Sequence, residues 1–403
     1  MYHMLAKITS DIYYVGASDR RLHKFENLFP IPRGVSYNSY LIADEKTALM
    51  DTADAAVGAQ FLSQVEEALQ RRTLDYLVIQ HMEPDHGALI NEVLTRYPQA
   101  QVVLTARTLP MLGAFTGRDY AARCVVVKEG DMLCLGRHTL SFVLAPMVHW
   151  PEVMLTYDQA DKVLFSADAF GTFGALSGNL FADEVDFMRE FLPDARRYYA
   201  NIVGKYGAQV QTVLKKAAGL DIAMLAPLHG PVWRRDLGEL LRLYDLWSRW
   251  QSEERAVVIA YASMYGHTRQ AAETLAGLLA EKGVTNIRMY DISVTDVSEV
   301  IAEIFRASTL ALCSPTYNGE LYPAMETLLE HMKALSVRDR TVGLIENGSW
   351  ASAAGKKMTE ALAGMKNMNI VAPMVTLRSR LAPEQAGDMD ALAGALAQSV
   401  LAE

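Results

Sequence analysis

The sequence predicts an α/β protein of two domains, the second of which is a doubly wound, mostly parallel sheet. A length of 403 residues allows two or three domains of ordinary size. From Ala256 onward, five apolar runs alternate with five helix-length amphipathic segments, the pattern of a parallel sheet covered by helices. The first 230 residues differ, because their short apolar runs lie between turns and only a few helical segments.

The first half of the chain is predicted to be rich in β-strands, since its apolar runs are short and end at turn residues. One longer amphipathic segment, Ala59–Gln70, is predicted to be a helix. The predicted strands are Ile12–Val15, Ser39–Ile42, Ala48–Met50, Leu77–Ile79, Val102–Leu104 and Phe142–Leu144.

The second half alternates regularly enough to predict a flavodoxin-like layout, in which a helix follows each strand. The predicted strands are Val257–Tyr261, Ile287–Tyr290, Thr309–Cys313, Thr341–Ile345 and Ile370–Val375. The predicted helices are Thr268–Glu281, Val297–Phe305, Ala324–Leu335, Ala353–Met365 and Pro383–Leu401. A polar segment follows a helix rich in Trp, Arg and Leu within Trp247–Arg255, so we place the join there. The predicted domains are residues 1–250 and 254–403.

Composition excludes several classes of protein. A net charge of −9 argues against a nucleic-acid binder, which would carry a basic surface. No apolar run approaches the ~18 residues of a membrane span, and the first residues lack the apolar core of a signal peptide. We therefore expect a cytoplasmic protein. Three cysteines without a Cys-x-x-Cys pair nearly exclude thiolate metal sites, so any metal must be bound by His and carboxylates.

A cluster of possible metal ligands follows the apolar run that ends at Gln80. His81, Glu83, Asp85 and His86 lie within six residues of one another. On an extended backbone, His81, Glu83 and Asp85 would point to one side, because side chains alternate along a strand. Pro84 and Gly87 then predict a turn that directs His86 to the same region.

Three further residues repeat this arrangement, since His149, Asp168 and His229 each follow an apolar run. Any one of these residues alone would more often be structural, but their conjunction at strand ends favours metal binding. Seven ligands are too many for one tetrahedral zinc and suit two five- or six-coordinate ions that share a carboxylate. The natural division gives each ion two His and one carboxylate, with Asp168 as the bridge. A nitrogen and oxygen ligand set rich in carboxylate suits iron or manganese.

Three loops of the second half predict a flavin site. A Ser/Gly/Thr-rich turn opens the first predicted helix, where backbone N–H groups and hydroxyls form an anion site. The loops after the third and fourth predicted strands add aromatic rings and amides, and such loops bind ligands in doubly wound sheets. The turn resembles the phosphate loop of flavodoxins, which implies FMN. The predicted FMN-binding residues are Ser263, Met264, Tyr265, Gly266, His267, Thr268, Pro315, Thr316, Tyr317, Asn318, Gly319, Asn347, Gly348, Ser349, Trp350 and Ala351.

The chain resembles the flavodiiron proteins over essentially its whole length. The likeness rests on His81-x-Glu83-x-Asp85-His86, on His149, Asp168 and His229, and on Trp150-Pro151. It implies an N-terminal αββα sandwich of the metallo-β-lactamase type, whose zinc hydrolases usually have His in place of Glu83. The implied ligands of one iron are His81, Glu83 and His149, those of the other are Asp85, His86 and His229, and Asp168 bridges them.

The resemblance also implies a function. Reduced FMN would pass electrons to a diiron site that reduces O2 to water, NO to N2O, or both. The implied assembly is a head-to-tail homodimer or a dimer of dimers, in which the flavin of one chain faces the irons of another. A fused rubredoxin needs four cysteines, which exceeds the three present, so electrons are expected from a separate rubredoxin or a deazaflavin-type carrier.

Two alternatives remain open from the sequence. One is a hydrolase of the metallo-β-lactamase fold with a flavodoxin-like interaction domain. The other is an electron-transfer flavoprotein whose metal site is structural. His3, His138 and His331 are expected to lie outside any cluster of charged or ligand residues.

Overall fold

The structure is a computed structural model that describes residues 5–402, so His3 lies outside the described residues. The chain divides into two compact units, with the change between Asp245 and Leu246. The first unit extends to Asp245, except that the short segment Ala200–Lys205 belongs to the second unit.

Within the described residues, the first unit contains two large mixed sheets. The first sheet has the strand order Ala6–Lys7, Ile12–Tyr14, Tyr40–Ala43, Thr47–Met50, Tyr76–Val78, Gln101–Thr105 and Cys124–Val127. The second has the order Met132–Cys134, Thr139–Leu144, Met154–Asp158, Val163–Phe165 and Met224–Ala226. Two small antiparallel pairs join Ala17–Asp19 to Val35–Tyr37 and Lys24–Phe25 to Phe29–Pro30.

The two large sheets share one apolar core. Ile42, Met50 and Val78 of the first sheet lie in the same buried cluster as Phe142 and Phe165 of the second. The α-helices in this part of the chain are Gly58–Leu69, Pro84–Gly87, Ile90–Arg96, Thr108–Thr116, Phe187–Glu190, Leu192–Tyr198, Gly207–Ala217 and Leu237–Ser248. This is the αββα sandwich expected for the first domain.

The second unit is the predicted doubly wound sheet. Its parallel strands have the order Ile287–Asp291, Glu254–Tyr261, Ala307–Tyr317, Arg340–Asn347 and Met368–Ile370. In chain order this is 2-1-3-4-5, the flavodoxin-like arrangement. Its α-helices are His267–Glu281, Val297–Arg306, Pro323–Ala334, Ala354–Ala363 and Ala386–Leu401.

The fifth strand is predicted as one continuous strand over Ile370–Val375, and this prediction is wrong. The structure has Met368–Ile370 and Val375–Leu377 instead, and both pair with Arg340–Asn347. Pro373 lies between them and has no N–H to donate, so the ladder is interrupted there. At the carboxyl end of the sheet, the position next to Arg340–Asn347 is therefore occupied by Leu377 and the residues after it.

Among residues 5–402, no helix combines the length and the apolar character that crossing a lipid bilayer requires.

Candidate metal centre and flavin loops

Four of the predicted metal ligands follow the strand Tyr76–Val78. His81 precedes a one-turn helix, Pro84–Gly87, and Glu83 occupies the extended position just before that helix. Asp85 and His86 lie on the helix itself, so the prediction of an extended backbone through Asp85 is wrong. The physical reason is Pro84, whose fixed φ suits the first position of a helix.

The other three ligands follow strands of the second sheet. His149, Asp168 and His229 come after Thr139–Leu144, Val163–Phe165 and Met224–Ala226. The structure brings all seven predicted ligands together. They form two groups of donor atoms, and within each group all donors lie within 4.8 Å of one another.

Asp168 lies between the two groups and turns one oxygen to each. Its Oδ2 lies 3.3 Å from His81 Nε2 and 3.1 Å from His149 Nε2. Its Oδ1 lies 3.2 Å from His86 Nε2 and 3.6 Å from His229 Nε2. A carboxylate in this position can bridge two cations.

A second carboxylate completes each group. Glu83 Oε2 lies 3.2 Å from His81 Nε2 and 3.0 Å from His149 Nε2. Asp85 Oδ2 lies 3.3 Å from both His86 Nε2 and His229 Nε2. Each group therefore offers two imidazole nitrogens, one carboxylate oxygen of its own and one oxygen of Asp168.

The chemistry of these donors fits two bound cations. His86 Nε2 and His229 Nε2 face each other at 3.1 Å, an approach that neutral acceptor nitrogens would not make without a proton or a cation between them. Both oxygens of Asp85 and Oδ1 of Asp168 are buried and have no hydrogen-bond donor among residues 5–402. Buried acceptors without donors are costly unless a cation satisfies them.

Without a cation, the carboxylates raise the pKa of the two histidines His86 and His149. Burial lowers the pKa of His86, but the Asp85 and Asp168 carboxylates outweigh it and raise the pKa to about 9. Burial also lowers the pKa of His149, but the hydrogen bonds with Asp168 and Glu83 outweigh it and raise this pKa to about 9. Burial would raise the pKa of Asp168, yet the facing His86 and His81 hold it well below the usual range. The pocket thus favours positive charge at its centre.

One side of the centre is more open than the other. Glu83, Asp85 and His149 retain 7–9% exposure, whereas His81 and Asp168 are fully buried. Glu26 approaches Glu83 at this open side, where burial and the Glu83 carboxylate raise the pKa of Glu26 to about 8. A small substrate would enter here.

Three loops at the carboxyl ends of the second unit's strands are joined by side-chain hydrogen bonds. Ser263 Oγ accepts from the Gly266 N–H, which closes the turn before helix His267–Glu281. Asn347 Nδ2 donates to Thr268 Oγ1 at 3.2 Å, and Thr316 Oγ1 accepts from the Ala353 N–H at 2.9 Å. The predicted flavin residues therefore belong to one connected edge.

Part of this edge is strand rather than loop. Pro315, Thr316 and Tyr317 belong to the strand Ala307–Tyr317, which is longer than predicted. Pro315 is paired with Asn347, and Thr316 pairs with Leu321 in a hairpin that turns at Asn318 and Gly319. The aromatic rings of this edge remain open to solvent, since Tyr265 is 91% and Trp350 is 95% exposed.

Comparison with known proteins relates the whole chain to one family. The ODP family beta lactamase matches residues 35–230, and the flavodoxin family matches residues 259–392. A nitric oxide reductase of Moorella thermoacetica is 34% identical over 377 residues, which are 92% of each chain. Rubredoxin oxygen:oxidoreductase of Desulfovibrio gigas is 27% identical with a TM-score of 0.92 over 98% of each chain. The flavodiiron protein of Giardia intestinalis is 25% identical with a TM-score of 0.93, over 100% of this chain and 98% of that one.

This chain is a member of the flavodiiron protein family. The predicted family, the sandwich and the flavodoxin-like sheet are thereby confirmed. The chain is an oxidoreductase whose cofactors are FMN and a non-haem diiron centre. The donors around Asp168 fit that centre.

The flavodiiron centre also uses residues that the sequence analysis missed. Glu152 Oε1 lies 2.9 Å from His81 Nδ1, and Asp51 Oδ1 accepts from the His81 N–H at 3.2 Å. The Tyr198 ring lies 5.6 Å from the His229 ring, and its buried hydroxyl has no hydrogen-bond partner within residues 5–402. Glu152 directly follows the Trp150-Pro151 pair, so its position in the sequence could have identified it. Tyr198 lies in a helix, and no motif around it indicates a role at the centre.

Two other residues were also missed or misjudged. Ser379 bonds to Asn347 through its N–H and to Ser349 Oγ at 2.7 Å, so a fourth loop joins the flavin edge. The expectation that His138 lies outside any cluster is wrong. Its Nδ1 lies 3.0 Å from Asp158 Oδ2, and Arg137 Nη2 lies 2.8 Å from its Nε2. Since Arg137 also binds Asp11 and Asp161, this is an ion-pair network.

Proposed function

We propose that this flavodiiron protein reduces O2 to water, NO to N2O, or both, with electrons that an external carrier supplies. The observation that carries this proposal is the position of Asp168, whose two oxygens each face a pair of histidine Nε2 atoms. Two metals held side by side suit a diatomic substrate that must receive more than one electron.

We assign His81, Glu83 and His149 to one iron, Asp85, His86 and His229 to the other, and Asp168 to both. When bound, the two irons supply adjacent open positions for a diatomic molecule, and FMN supplies electrons one at a time. The assignment is supported by the grouping of donor atoms and by the buried oxygens that make no hydrogen bond.

The surrounding residues keep the centre dry and its ligands oriented. Trp150 packs edge-on against His81 with ring centroids 5.3 Å apart, and Phe25 packs edge-on against His229 at 5.4 Å. The His229 Nδ1–H donates to the Ser36 carbonyl at 2.7 Å, which leaves Nε2 free as a ligand. Substrate reaches the irons from the side of Glu83 and His149.

We propose residues 1–250 as the diiron domain and 254–403 as the FMN-binding domain. The FMN phosphate would lie at the turn Ser263–Thr268, where the helix N-terminus offers backbone N–H groups. Tyr317 and Trp350 would cover the flavin ring, and their exposure supports this role. Asn347 would position the turn rather than contact FMN, because Thr268 and Ser379 occupy its amide.

Three further features belong to the proposal. The electron donor would be a rubredoxin or a deazaflavin-type carrier, and the assembly would be a head-to-tail homodimer or a dimer of dimers. Support for the assembly is that each predicted cofactor site draws its residues from a single unit. A strictly monomeric species with full activity in ultracentrifugation and turnover assays would contradict it.

A cytoplasmic location is supported by the three free thiols.

The test is anaerobic reduction of the iron-loaded, FMN-loaded protein, followed by parallel assays of O2 and NO consumption. His81→Asn should abolish both activities and reduce iron content, with FMN retained. His331→Asn is the matched control, because His331 Nδ1 bonds to the Thr327 carbonyl of its own helix, outside the metal centre. Two zinc ions and no flavin in protein from its host would favour the hydrolase, and intact turnover in H81N would favour an electron-transfer flavoprotein.

A further inference from the structure

Glu152 is a buried carboxylate that supports one side of the metal centre only. Its Oε1 lies 2.9 Å from His81 Nδ1 and accepts from the Met82 N–H at 2.9 Å. The residue is 1% exposed. Because His81 Nε2 faces Glu83 and Asp168 as a ligand, the ring proton lies on Nδ1 and is donated to Glu152.

In the other group of ligands, no carboxylate of the described residues is hydrogen-bonded to a histidine Nδ1. The His229 Nδ1–H donates to the neutral Ser36 carbonyl at 2.7 Å. His86 Nδ1 is buried and has no hydrogen-bond partner in the described part of the chain. Asp51 lies close enough to interact electrostatically with His86, but it accepts from backbone N–H groups and from the Gln80 amide rather than from a ring nitrogen.

The two groups therefore differ by one carboxylate that is hydrogen-bonded to a ligand ring. Each has one carboxylate of its own, Glu83 or Asp85, and one oxygen of Asp168. Glu152 adds a second full carboxylate to the first group through the His81 ring. A carboxylate acceptor strengthens the ligand nitrogen across the ring and stabilises the more highly charged metal.

We propose that Glu152 makes the two iron positions unequal, so that the iron held by His81, Glu83 and His149 is oxidised first. This inference rests on the proposed ligand set. With both irons bound and ferrous, the substrate O2 or NO would take the first electron from this position, whose iron would become ferric while the other stays ferrous. The Nδ1 proton shifts toward Glu152 Oε1 and stays within the pair. Glu152 is thus a positioning residue that acts through His81.

The test compares wild type with Glu152→Gln in a potentiometric titration followed by the electron paramagnetic resonance signal of the mixed-valent centre. The amide oxygen of this variant can accept without carrying charge, so the hydrogen bond is retained and the charge is removed. We expect the equilibrium constant of the first oxidation to shift at least about tenfold toward the ferrous form in E152Q. For one electron, this raises the first reduction potential by about 59 mV. The second oxidation should move less, so the mixed-valent form occupies a narrower range.

Iron affinity provides a second readout. Competition with a chelator should release one of the two irons from E152Q about 10–100 times more readily than from wild type, with the other unchanged. Asp158→Asn is the matched control, because Asp158 is also fully buried and also bonds a histidine Nδ1, outside the metal centre. It should leave both oxidation steps and both affinities unchanged.

Equal movement of both oxidation steps in E152Q, or no movement, would overturn the inference, as would equal loss of both irons. Loss of one iron alone would support it even if the titration became impossible. A wild-type protein without a two-iron signal would contradict the proposed function itself. A normal wild-type signal with an unchanged E152Q would contradict only the role of Glu152.

Discussion

The metal centre and the flavin edge are built by opposite means. The ligands of the metal centre are buried side chains, and other buried side chains such as Glu152 and Asp51 hold them. The flavin edge consists of turns held by hydroxyl and amide bonds, and it leaves Tyr265 and Trp350 almost fully exposed. A site of buried charges must pair every charge with a side chain or a bound cation, because each charge left unpaired is costly. An exposed edge can instead be completed by the ligand that covers it.

This contrast predicts that the two sites fail independently and by different mechanisms. Removing a charge should disrupt the metal centre and spare the flavin. Disturbing the backbone should disrupt the flavin edge and spare the metal. Measuring both cofactors on one variant tests the separation directly.

The largest effect is expected from Asp168→Asn. The neutral amide would place an N–H₂ group toward one of the two histidine pairs, so both groups lose their shared anion. Loss of a residue that only supports a ligand typically costs about 10–100-fold in activity. We expect turnover of O2 and NO to fall by more than this in D168N, and iron content to be reduced. Iron and FMN analysis on the same sample would check it, and FMN content should stay at the wild-type level.

Asp158→Asn again serves as the control for loss of a buried carboxylate beside a histidine. It should keep both cofactors. If D168N lost FMN along with iron, the two sites would be coupled and the contrast would be wrong.

The same contrast explains what the sequence could predict. Ligand identity was predictable because His and carboxylates at strand ends are rare and chemically specific, and the alternating second half predicted its sheet order. Supporting residues were harder to predict, since Tyr198 is brought to His229 only by tertiary packing. Local geometry was missed where one residue decides it, as Pro84 does for the one-turn helix and Pro373 for the interrupted fifth strand.

At the flavin edge, the largest effect is expected from Gly348→Ala. A Cβ at this position would lie 2.6 Å from the Ala351 carbonyl oxygen and 2.7 Å from Ser352 Oγ, so the loop that carries Trp350 must move. If the FMN-bound loop carries this strain, overpacking of about 1–3 kcal/mol corresponds to a loss of FMN affinity of about 5–150-fold. Flavin fluorescence titration of the apoprotein would measure it.

Gly387→Ala is the matched glycine substitution, because a Cβ there meets nothing within 4 Å. Gly387 lies in the helix Ala386–Leu401, where alanine is favoured, so G387A should keep FMN affinity and gain slightly in stability. Unchanged FMN binding in G348A would show that the loop accommodates the methyl group and that the edge is less constrained than its contacts indicate.

A smaller effect is expected from Tyr198→Phe, which separates supporting the ligands from serving the substrate. The Tyr198 hydroxyl is buried beside the centre and has no partner among residues 5–402, so its removal should leave iron content unchanged and stability equal or higher. If that hydroxyl bonds to bound substrate, turnover should fall by about tenfold, the value of one neutral hydrogen bond. Tyr157→Phe is the control, because its hydroxyl already donates to the Asp221 carbonyl. Iron loss in Y198F would show that Tyr198 supports the metal instead.

The smallest effect concerns His138, a buried histidine–carboxylate pair without the metal centre's ligands around it. Burial lowers the pKa of His138, but Asp158 outweighs it and the net pKa is raised, with Arg137 opposing. A raised pKa in the folded state means that this pair stabilises the fold fully below the unfolded pKa of about 6.5 and loses that contribution as pH rises.

One titrating group can change the free energy of unfolding by at most about 1.4 kcal/mol per pH unit. Between about pH 6 and pH 8.5, a window around the ordinary histidine pKa, wild type should therefore lose stability relative to His138→Asn, in which the amide nitrogen can still donate to Asp158 but does not titrate. Hydrogen exchange of the strands Thr139–Leu144 and Met154–Asp158, corrected for intrinsic rates, is the local measurement. A difference that stayed constant with pH would mean that the charge of His138 does not change across this range, which would contradict its role as a titrating group.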